Sequence, residues 1–513
     1  MNSEEILQFC MQKGLLLDKD LLQILSDFKD INSLKLFIEK IKTNTGQNFI
    51  TRTLVESNKE KILNVFHNLP SENQQVLEKL KIKLGLNIEI SKEITSNCPL
   101  SNSLYGNVLL SPSVNTVGKK IEVSNFVTYF KNRFIEMRNL IRERSELENL
   151  ISINKISGQN FGFSIIGMIR EKKITHNKNI LLEIEDLTGK IKVLINGNKK
   201  ELIEKAEEIC LDSVVGFKGS GNKEILFVNE IIFPDAALAE RKKSNLDESV
   251  LFLGDIHYGS KTFLKDSFSR LIDFLNSDNL ESKKIKYIFF VGDIVTGIGN
   301  YPDQEADLEI LSLEDQFSSF ANLLKKIPSH IKIIISPGNH DGVRIMEPQP
   351  LLDKKYAWSL YELENVFITE NPSRINIGSY SGFSGFNVLT YHGFSFFYYV
   401  NNVPRLMKLK AANNPEIIMK YLLLNRHLAP TQGSTQYFPL DKDPLIIKEV
   451  PDIFISGHTH KSGISYYNNI LIVSVSGWES LSPYQIKTGM IPDFCKVPMF
   501  NLKTREVKIL DFE

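Results

Sequence analysis

The stretch "IKIIISPGNHD", residues 331–341, decides the fold. An apolar run of this length, closed by a Pro-Gly pair, is typical of a buried β-strand. Directly after it stand Asn339, His340 and Asp341, three side chains that can bind a metal ion or move a proton. A single histidine at a strand end could equally be a core residue with a satisfied hydrogen bond as a residue that binds a metal ion or moves a proton. The interpretation therefore depends on which other segments end in the same way.

The same arrangement recurs along the second half of the chain. Four more apolar runs end in metal-binding residue types: "ESVLFLGDIH" in Asp255 and His257, "KIKYIFFVGD" in Asp293, "FNVLTYHG" in His392, and "PDIFISGHTH" in His458 and His460. Helical stretches such as "LEDQFSSFANLLKKI" lie between several of the runs. Strands alternating with helices predict a buried sheet with helices on its faces, and ligands in such folds lie beyond the carboxyl ends of the strands. The segments are therefore predicted to meet at one rim.

The residue types at this rim favour a catalytic metal centre. Imidazole, carboxylate and amide donors without a thiolate suit manganese, iron or zinc better than a structural zinc site. The spacings Asp-x-His and His-x-His place two side chains on the same side of an extended strand end. Glycines that allow close backbone approach accompany nearly every candidate, namely Gly254, Gly292, Gly338, Gly393 and Gly457. "GHTH" alone could be a polar turn, but the whole set predicts a metal site. His330 and His427 are assigned structural roles.

The first half of the chain carries no comparable motif. Helical spacing predicts a helical domain over residues 1–85, and a Ser- and Asn-rich stretch predicts a flexible linker over 86–120. Residues 121–152 predict a basic helix, which could follow a phosphate backbone, although a solvated face with i,i+4 charge pairs is the favoured interpretation. The basic residues concerned are Lys131, Arg133, Arg138, Arg142 and Arg144. Residues 153–238 predict five short strands with a helix between the third and fourth, the layout of an OB-fold, for either single-strand binding or docking.

Composition sets wider bounds on the class of protein. The chain has 513 residues, too many for one core, and its 61 Lys and Arg balance its 61 Asp and Glu. Bulk charge therefore argues neither for nor against nucleic acid. Four cysteines without a C-x-x-C pair favour a reducing compartment. No apolar run approaches the ~20 residues of a membrane helix, so we expect an intracellular protein without membrane contact.

The blocks "GDIHYG", "VGDIV", "PGNHD", "YHG" and "GHTH" together resemble the calcineurin-like metallophosphoesterase superfamily over about residues 248–480. A narrower resemblance rests on "GIGNYPDQEADLEI", "RHLAP" and "VPDIFISGHTHKSG", which are similar to the small subunits of the archaeal D-family DNA polymerases. The resemblance implies an α/β fold. It consists of a phosphoesterase β-sandwich with flanking helices over 248–513, preceded by an OB-fold barrel and a small helical domain.

The resemblance also implies a function. It predicts a 3′–5′ exodeoxyribonuclease that proofreads single-stranded or mismatched DNA 3′ ends for a large catalytic polymerase subunit, in the cytoplasm at the chromosome. Two divalent ions are implied, with Mn²⁺ expected and Mg²⁺, Fe²⁺ or Zn²⁺ as alternatives. The first would be held by Asp255, His257, Asp293 and His460, and the second by Asp293, Asn339, His392 and His458, with Asp293 bridging.

His340 is then free to supply a proton to the leaving 3′ oxygen or to steady phosphoryl charge, with Asp341 orienting His340 or its neighbours. The loop "YHGFSFFYYV" departs from the family, which often has a charged residue after "YHG". Its aromatics, Phe394, Phe396, Phe397, Tyr398 and Tyr399, could stack on unpaired bases or pack against the partner subunit, and packing is slightly favoured. The alternatives are a stand-alone phosphatase or phosphodiesterase and a non-catalytic scaffold, although no ligand position is broken.

Overall fold

The computed structural model of the chain describes residues 3–18, 22, 25, 35, 38–39, 42, 49–50, 107–111, 120–158, 160–481 and 491–513. The chain divides into two compact units, the first of which comprises residues 1–97 and 353–358. In that unit, helix α1 (Ser3–Gln12) buries Ile6 and Cys10, and strands β1 (Leu16–Leu17) and β2 (Phe49–Ile50) pair in parallel. Most of the predicted helical domain over 1–85 lies outside the described residues.

The second unit begins with an element that the sequence places in a linker. Strand β3 (Asn107–Leu110) pairs antiparallel with residues 375–379 and extends a sheet. The linker prediction is wrong for these four residues, because a run as short as "NVLL" gains its strand character from a distant partner and not from its own period. Helix α2 (Val123–Arg142) follows, and it buries Tyr129, Phe134, Met137 and Ile141 along one face.

Residues 160–232 form a closed barrel of five strands. These are β4 (Asn160–Ile174), β5 (Ile180–Glu185), β6 (Lys190–Ile195), β7 (Val214–Gly221) and β8 (Ile225–Ile232), in the order β4-β5-β6-β8-β7. The alternation of apolar and polar residues along the strands gives the barrel its apolar interior. Ile180, Leu182 and Ile184 point into the barrel core, while the residues between them face outward. Helix α3 (Lys200–Glu207) lies between the third and fourth strands, as the sequence predicts.

The remainder is a sandwich of two six-stranded sheets. The first sheet runs β12-β11-β10-β9-β18-β19, with its first four strands parallel. Its strands are β9 (Ser249–Leu253), β10 (Ile285–Val291), β11 (Lys332–Ser336), β12 (Val366–Ile368), β18 (Lys496–Asn501) and β19 (Val507–Asp511). Its flanking helices are α4 (Lys265–Leu275), α5 (Leu280–Lys284) and α6 (Leu313–Leu324). Helix α7 (Lys354–Tyr361) comes between β11 and β12 along the chain.

The second sheet runs β16-β17-β15-β14-β13-β3 and contains the parallel set β14, β15 and β17. Its further strands are β13 (Ser373–Ser379), β14 (Phe386–Thr390), β15 (Ile453–Ser456), β16 (Gly463–Tyr467) and β17 (Ile470–Ser474). Helices α8 (Phe396–Asn402), α9 (Pro404–Lys408) and α10 (Pro415–Asn425) accompany it. Residues of both sheets, including Val250, Phe289, Val388 and Ile455, share one apolar core. Alternation alone predicts one sheet, whereas the resemblance correctly implies the sandwich.

Helix α2 is joined to the sandwich by a buried ion pair. Arg133 is 1% exposed, and its Nε lies 2.6 Å from Oδ2 of Asp443. The guanidinium also lies over the rings of Tyr129 and Tyr437, and His427 Nε2 lies 2.9 Å from the same carboxylate oxygen. Arg133 is therefore withdrawn from the predicted basic face, on which Lys131, Arg138 and Arg142 remain exposed. None of the described helices is long and apolar enough to cross a membrane.

Candidate metal centre

The predicted ligands lie in the loops that follow β9, β10, β11, β14 and β15, and the sandwich brings these loops together. Three groups of donors form, each with all its ligand atoms within 4.8 Å of one another, and the third, which contains His257, Asp293 and His340, overlaps the other two. The first group is Asp255, His257 and His460, and the second is Asp293, His392 and His458. These two groups bring together six of the seven ligands that the resemblance implies, although Asp293 is not in the first group, and all of them are buried except His458, which is half-buried.

Five of these residues share an uncommon backbone conformation. The φ angles of Asp255, His257, Asp293, His458 and His460 are 50°, 49°, 49°, 69° and 52°. Residues other than glycine in this left-handed region cost about 1–3 kcal/mol each and cluster at functional sites. The extended-strand explanation of Asp-x-His and His-x-His is therefore wrong. Each pair converges because the chain has already left the strand and coils back over its carboxyl end.

The first donor group brings the Nε2 atoms of two tilted imidazole rings together. His257 Nε2 lies 3.1 Å from His460 Nε2, and His460 Nε2 lies 3.6 Å from Oδ1 of Asp255. Burial and the neighbouring imidazoles lower the pKa of His257 to about 3 and that of His460 to about 4. Both rings are therefore neutral near pH 7, which is the form that binds a metal ion.

The second donor group sets an imidazole directly beside a carboxylate. His392 Nδ1 lies 3.0 Å from the Val291 carbonyl, to which it can donate, and this leaves Nε2 turned toward Asp293 Oδ2 at 3.1 Å. Nε2 is buried without a hydrogen bond of good geometry. Burial acts to lower the pKa of His392, but the Asp293 and Asp255 carboxylates outweigh it and raise the pKa to about 10. The pocket thus favours a positive charge beside Asp293, and a divalent cation meets that demand.

Asp293 occupies the position between the two groups. Its Oδ2 lies 3.1 Å from His392 Nε2 and 3.9 Å from His257 Nε2, while its Oδ1 accepts a hydrogen bond from the His340 backbone amide at 2.7 Å. Although burial acts in the opposite direction, the imidazoles of His392 and His340 hold the pKa of Asp293 well below its usual range. An ionised carboxylate with one oxygen facing both donor groups is suited to bridging two cations.

Two further observations fit a metal ion. The side-chain oxygen of Asn339 is buried and has no hydrogen-bond partner, as expected of an amide oxygen that would bind a metal ion. Glycine is required where the backbone passes the ligands. A Cβ on Gly338 would lie 2.3 Å from Asp293 Oδ1, and one on Gly292, whose φ is 80°, would lie 2.2 Å from His392 Nδ1. The donor set and its spacing therefore fit two divalent cations.

His340 stands at the edge of the centre and is half-buried. Its Nδ1 lies 2.9 Å from the Thr296 carbonyl and 3.1 Å from Asn300 Nδ2. Its ring meets the His257 ring edge-on at 4.8 Å, so donors of His340, His257 and Asp293 also come within 4.8 Å of one another. Sequence analysis missed Thr296 and Asn300, because nothing in "VTGIGN" marks them as partners of a histidine some forty residues away.

The predicted contact of Asp341 with His340 is replaced by another. Asp341 Oδ1 accepts from the Val295 amide at 3.0 Å, and Oδ2 accepts from the Gly338 amide at 2.7 Å. Burial and the nearby Asp293 raise the pKa of Asp341 to about 7. Asp341 therefore ties together the loops after β10 and β11, and it acts on the neighbours of His340, while Thr296 and Asn300 contact the ring itself.

The aromatic loop divides between two environments. Phe396 and Tyr399 are fully buried in the chain's own core, so they meet neither a base nor a partner subunit. Tyr398 packs against the same core. Phe394 and Phe397 remain half-buried and approach the His458 ring with centroids 5.7 and 5.4 Å away.

Comparison with known proteins identifies the domain and the chain. The model of the calcineurin-like phosphoesterase family matches residues 249–462. The DNA polymerase II small subunit of Pyrococcus furiosus is 36% identical over 424 residues, covering 79% of this chain and 67% of that protein. The corresponding subunit of Methanothermobacter thermautotrophicus is 34% identical over 398 residues, covering 76% of this chain and 80% of that protein. A solved archaeal phosphodiesterase aligns with 51% of this chain at 13% identity and a TM-score of 0.26.

The two curated relatives and the matched phosphoesterase model agree with the geometry of the site. Identity above 30% extends over two thirds or more of both relatives. The chain therefore belongs to the family of archaeal DNA polymerase II small subunits and carries a calcineurin-like phosphoesterase domain.

Proposed function

We propose that this chain is the proofreading subunit of a heterodimeric DNA polymerase and removes nucleotides from single-stranded or mismatched 3′ ends. One observation supports this above all others. The Asp293 carboxylate of the second donor group also faces His257 of the first group, at 3.9 Å, an arrangement that could hold two divalent ions against one phosphodiester. The relatives' names, DNA polymerase II small subunit, point to a large catalytic subunit as the partner and to the chromosome as the place of action.

Each donor has a separate task in this proposal. Bound divalent ions, with Mn²⁺ expected, would neutralise phosphodiester charge and make water a nucleophile at neutral pH. His257, His460 and Asp255 would hold one ion, and Asp293 would face both. Asn339, His392 and His458 would complete the second set, with Asn339 contributing an oxygen without adding charge.

His340 is placed to serve the leaving group. A protonated imidazole can keep one N–H on the Thr296 carbonyl and offer the other, on Nε2, to the 3′ oxygen that leaves. The His340 amide is itself bonded to Asp293, so the ring position is fixed relative to the donor groups. This geometry supports a proton donor at the rim, and because His340 also lies within 4.8 Å of donors of His257 and Asp293, the metal content of a His340 variant is the deciding measurement.

The proposal is tested with purified chain, alone and with its large subunit, on matched and mismatched DNA 3′ ends in Mn²⁺. We expect mismatched ends to be shortened faster. Asp293→Asn should lose both bound metal and activity, whereas His340→Ala should lose activity by about 10²–10⁴-fold with near wild-type metal content. Loss of metal in His340→Ala would instead make His340 a ligand.

The same assay separates the other two interpretations. A scaffold subunit would show no hydrolysis of any DNA end, with or without the large subunit. A stand-alone phosphatase would prefer a phosphomonoester to a DNA 3′ end and would gain nothing from the large subunit.

A further inference from the structure

Two partly exposed aromatic rings lie beside His458 of the second donor group. Phe394 and Phe397 are half-buried, and their ring centroids lie 5.7 and 5.4 Å from that of His458. Their neighbours Phe396 and Tyr399 face the opposite way, into the core. Of the aromatic side chains on the short helix α8 and the turn before it, some pack in the core and two lie beside the candidate metal centre.

The backbone that carries these rings is fixed. Gly393 has a φ of 115°, and a Cβ there would lie 2.9 Å from Ser456 Oγ. The Phe396 amide donates to the Gly393 carbonyl at 2.9 Å, and Ser395 Oγ donates to the Leu428 carbonyl at 2.7 Å. A ligand that meets rings held in this way does not have to order them, and this reduces the entropic cost of binding.

We propose that Phe394 and Phe397 form a stacking surface for the unpaired nucleobase at the DNA 3′ terminus, an inference that rests on the proposed exonuclease function. The phosphate to be cut would lie between the donor groups, and the terminal base is carried by the nucleotide attached to it. A base reaches such a surface only when it is unpaired, so the surface favours frayed and mismatched ends. Stacking tolerates every base, since each has an aromatic face.

The test varies the rings and the base together. Oligonucleotides ending in a 3′ nucleoside are compared with oligonucleotides ending in an abasic residue, on wild type, Phe394→Leu, Phe397→Leu and the double variant. Leucine keeps apolar contact with His458 but removes the stacking face. Tyr398→Leu is the matched control, because Tyr398 lies on the same helix and packs against Tyr399 and the core.

Wild type should favour the base over the abasic end in kcat/KM by about 5- to 150-fold, the value of one stacked base. The double variant should bring this ratio close to one, and Tyr398→Leu should leave it unchanged. Equal losses on both substrates would show that the rings only support His458, and would overturn the proposal.

A second measurement does not need catalysis. In EDTA, fluorescence anisotropy should show that wild type binds a labelled oligonucleotide with a 3′-terminal nucleoside about 5- to 150-fold more tightly than one with a 3′-terminal abasic residue, and that the double variant binds both alike. Equal affinities of wild type for the two oligonucleotides would refute the stacking surface. Wild type that cuts no DNA end would refute the exonuclease instead, while the affinity ratio would still report on the rings.

Discussion

Replacing Arg133 with methionine is expected to lower the free energy of unfolding of the phosphoesterase domain by about 4 kcal/mol. Arg133 and Asp443 are 1% and 0% exposed at their side chains, so the pair is cut off from water. Methionine fills much of the space between the Tyr129 and Tyr437 rings. It leaves the Asp443 carboxylate buried with hydrogen bonds from His427, Tyr129 and the Leu445 amide but without a fixed positive charge beside it. Breaking a buried pair on one side costs about 3–5 kcal/mol because the remaining charge is uncompensated.

The assay uses the fluorescence of Trp478, which is buried beyond β17. With Trp358 replaced by phenylalanine in every variant, Trp478 is the only tryptophan of the chain, and urea unfolding reports on its domain. Arg138→Met is the matched control, since Arg138 is exposed on the same helix, and its cost should stay within about 0.5 kcal/mol.

A double variant isolates the charge. Arg133→Met with Asp443→Asn keeps a hydrogen-bond acceptor for His427 and removes both charges, so it should be more stable than Arg133→Met alone. If Arg133→Met unfolds like wild type, or if the costs of the two substitutions simply add, the ion pair does not hold α2 on the sandwich and the reasoning fails.

Three further outcomes follow from single contacts. Gly338→Ala should bind less metal than wild type, as measured by elemental analysis, because its methyl group would meet Asp293 Oδ1 at 2.3 Å; full metal content would contradict the close approach. Val108→Asp should cost about 2 kcal/mol in the urea assay, since Val108 packs on the sandwich core, whereas Leu109→Asp, at a position 47% exposed, should be nearly neutral; equal effects would show that β3 does not contribute to the core. His427, buried beside Arg133, has its pKa lowered to about 4. Between pH 6.5 and pH 4, His427 is therefore protonated in the unfolded chain but neutral in the folded chain. The free energy of unfolding falls as the pH falls through this range, by up to about 3 kcal/mol. His427→Gln should flatten this part of the stability profile, and an unchanged profile would place the proton uptake elsewhere.

The sequence predicts well what is local to a strand and its exit. The positions of Asp293 and His392 at the rim of the sheets are predictable, because each residue follows directly on an apolar run and the carboxyl ends of such strands meet in space. The alternating "LLEIE" of β5 likewise predicts a half-buried strand from its own period.

What the sequence leaves open depends on partners that are distant along the chain. Arg133 and Asp443 are 310 positions apart, and nothing in the sequence around either residue indicates that it is buried. Strand β3 forms because β13 offers it an edge, and Asp341 meets Val295 because the loops after β10 and β11 lie side by side. The left-handed backbone at His257 and His460 is equally hidden, since the residue types alone predict extended chain.

That left-handed backbone bears on how such a centre evolves. Glycine at His257 or His460 would relieve about 1–3 kcal/mol of backbone strain at each position while removing a ligand. Stability and activity thus pull in opposite directions at these loops, and selection for folding alone does not conserve the ligands. A lineage that no longer needed the hydrolysis could shed its donors and keep the sandwich intact. Five of the seven candidate donors in this chain are held in this backbone conformation, and the proposed chemistry, rather than folding, would explain that cost.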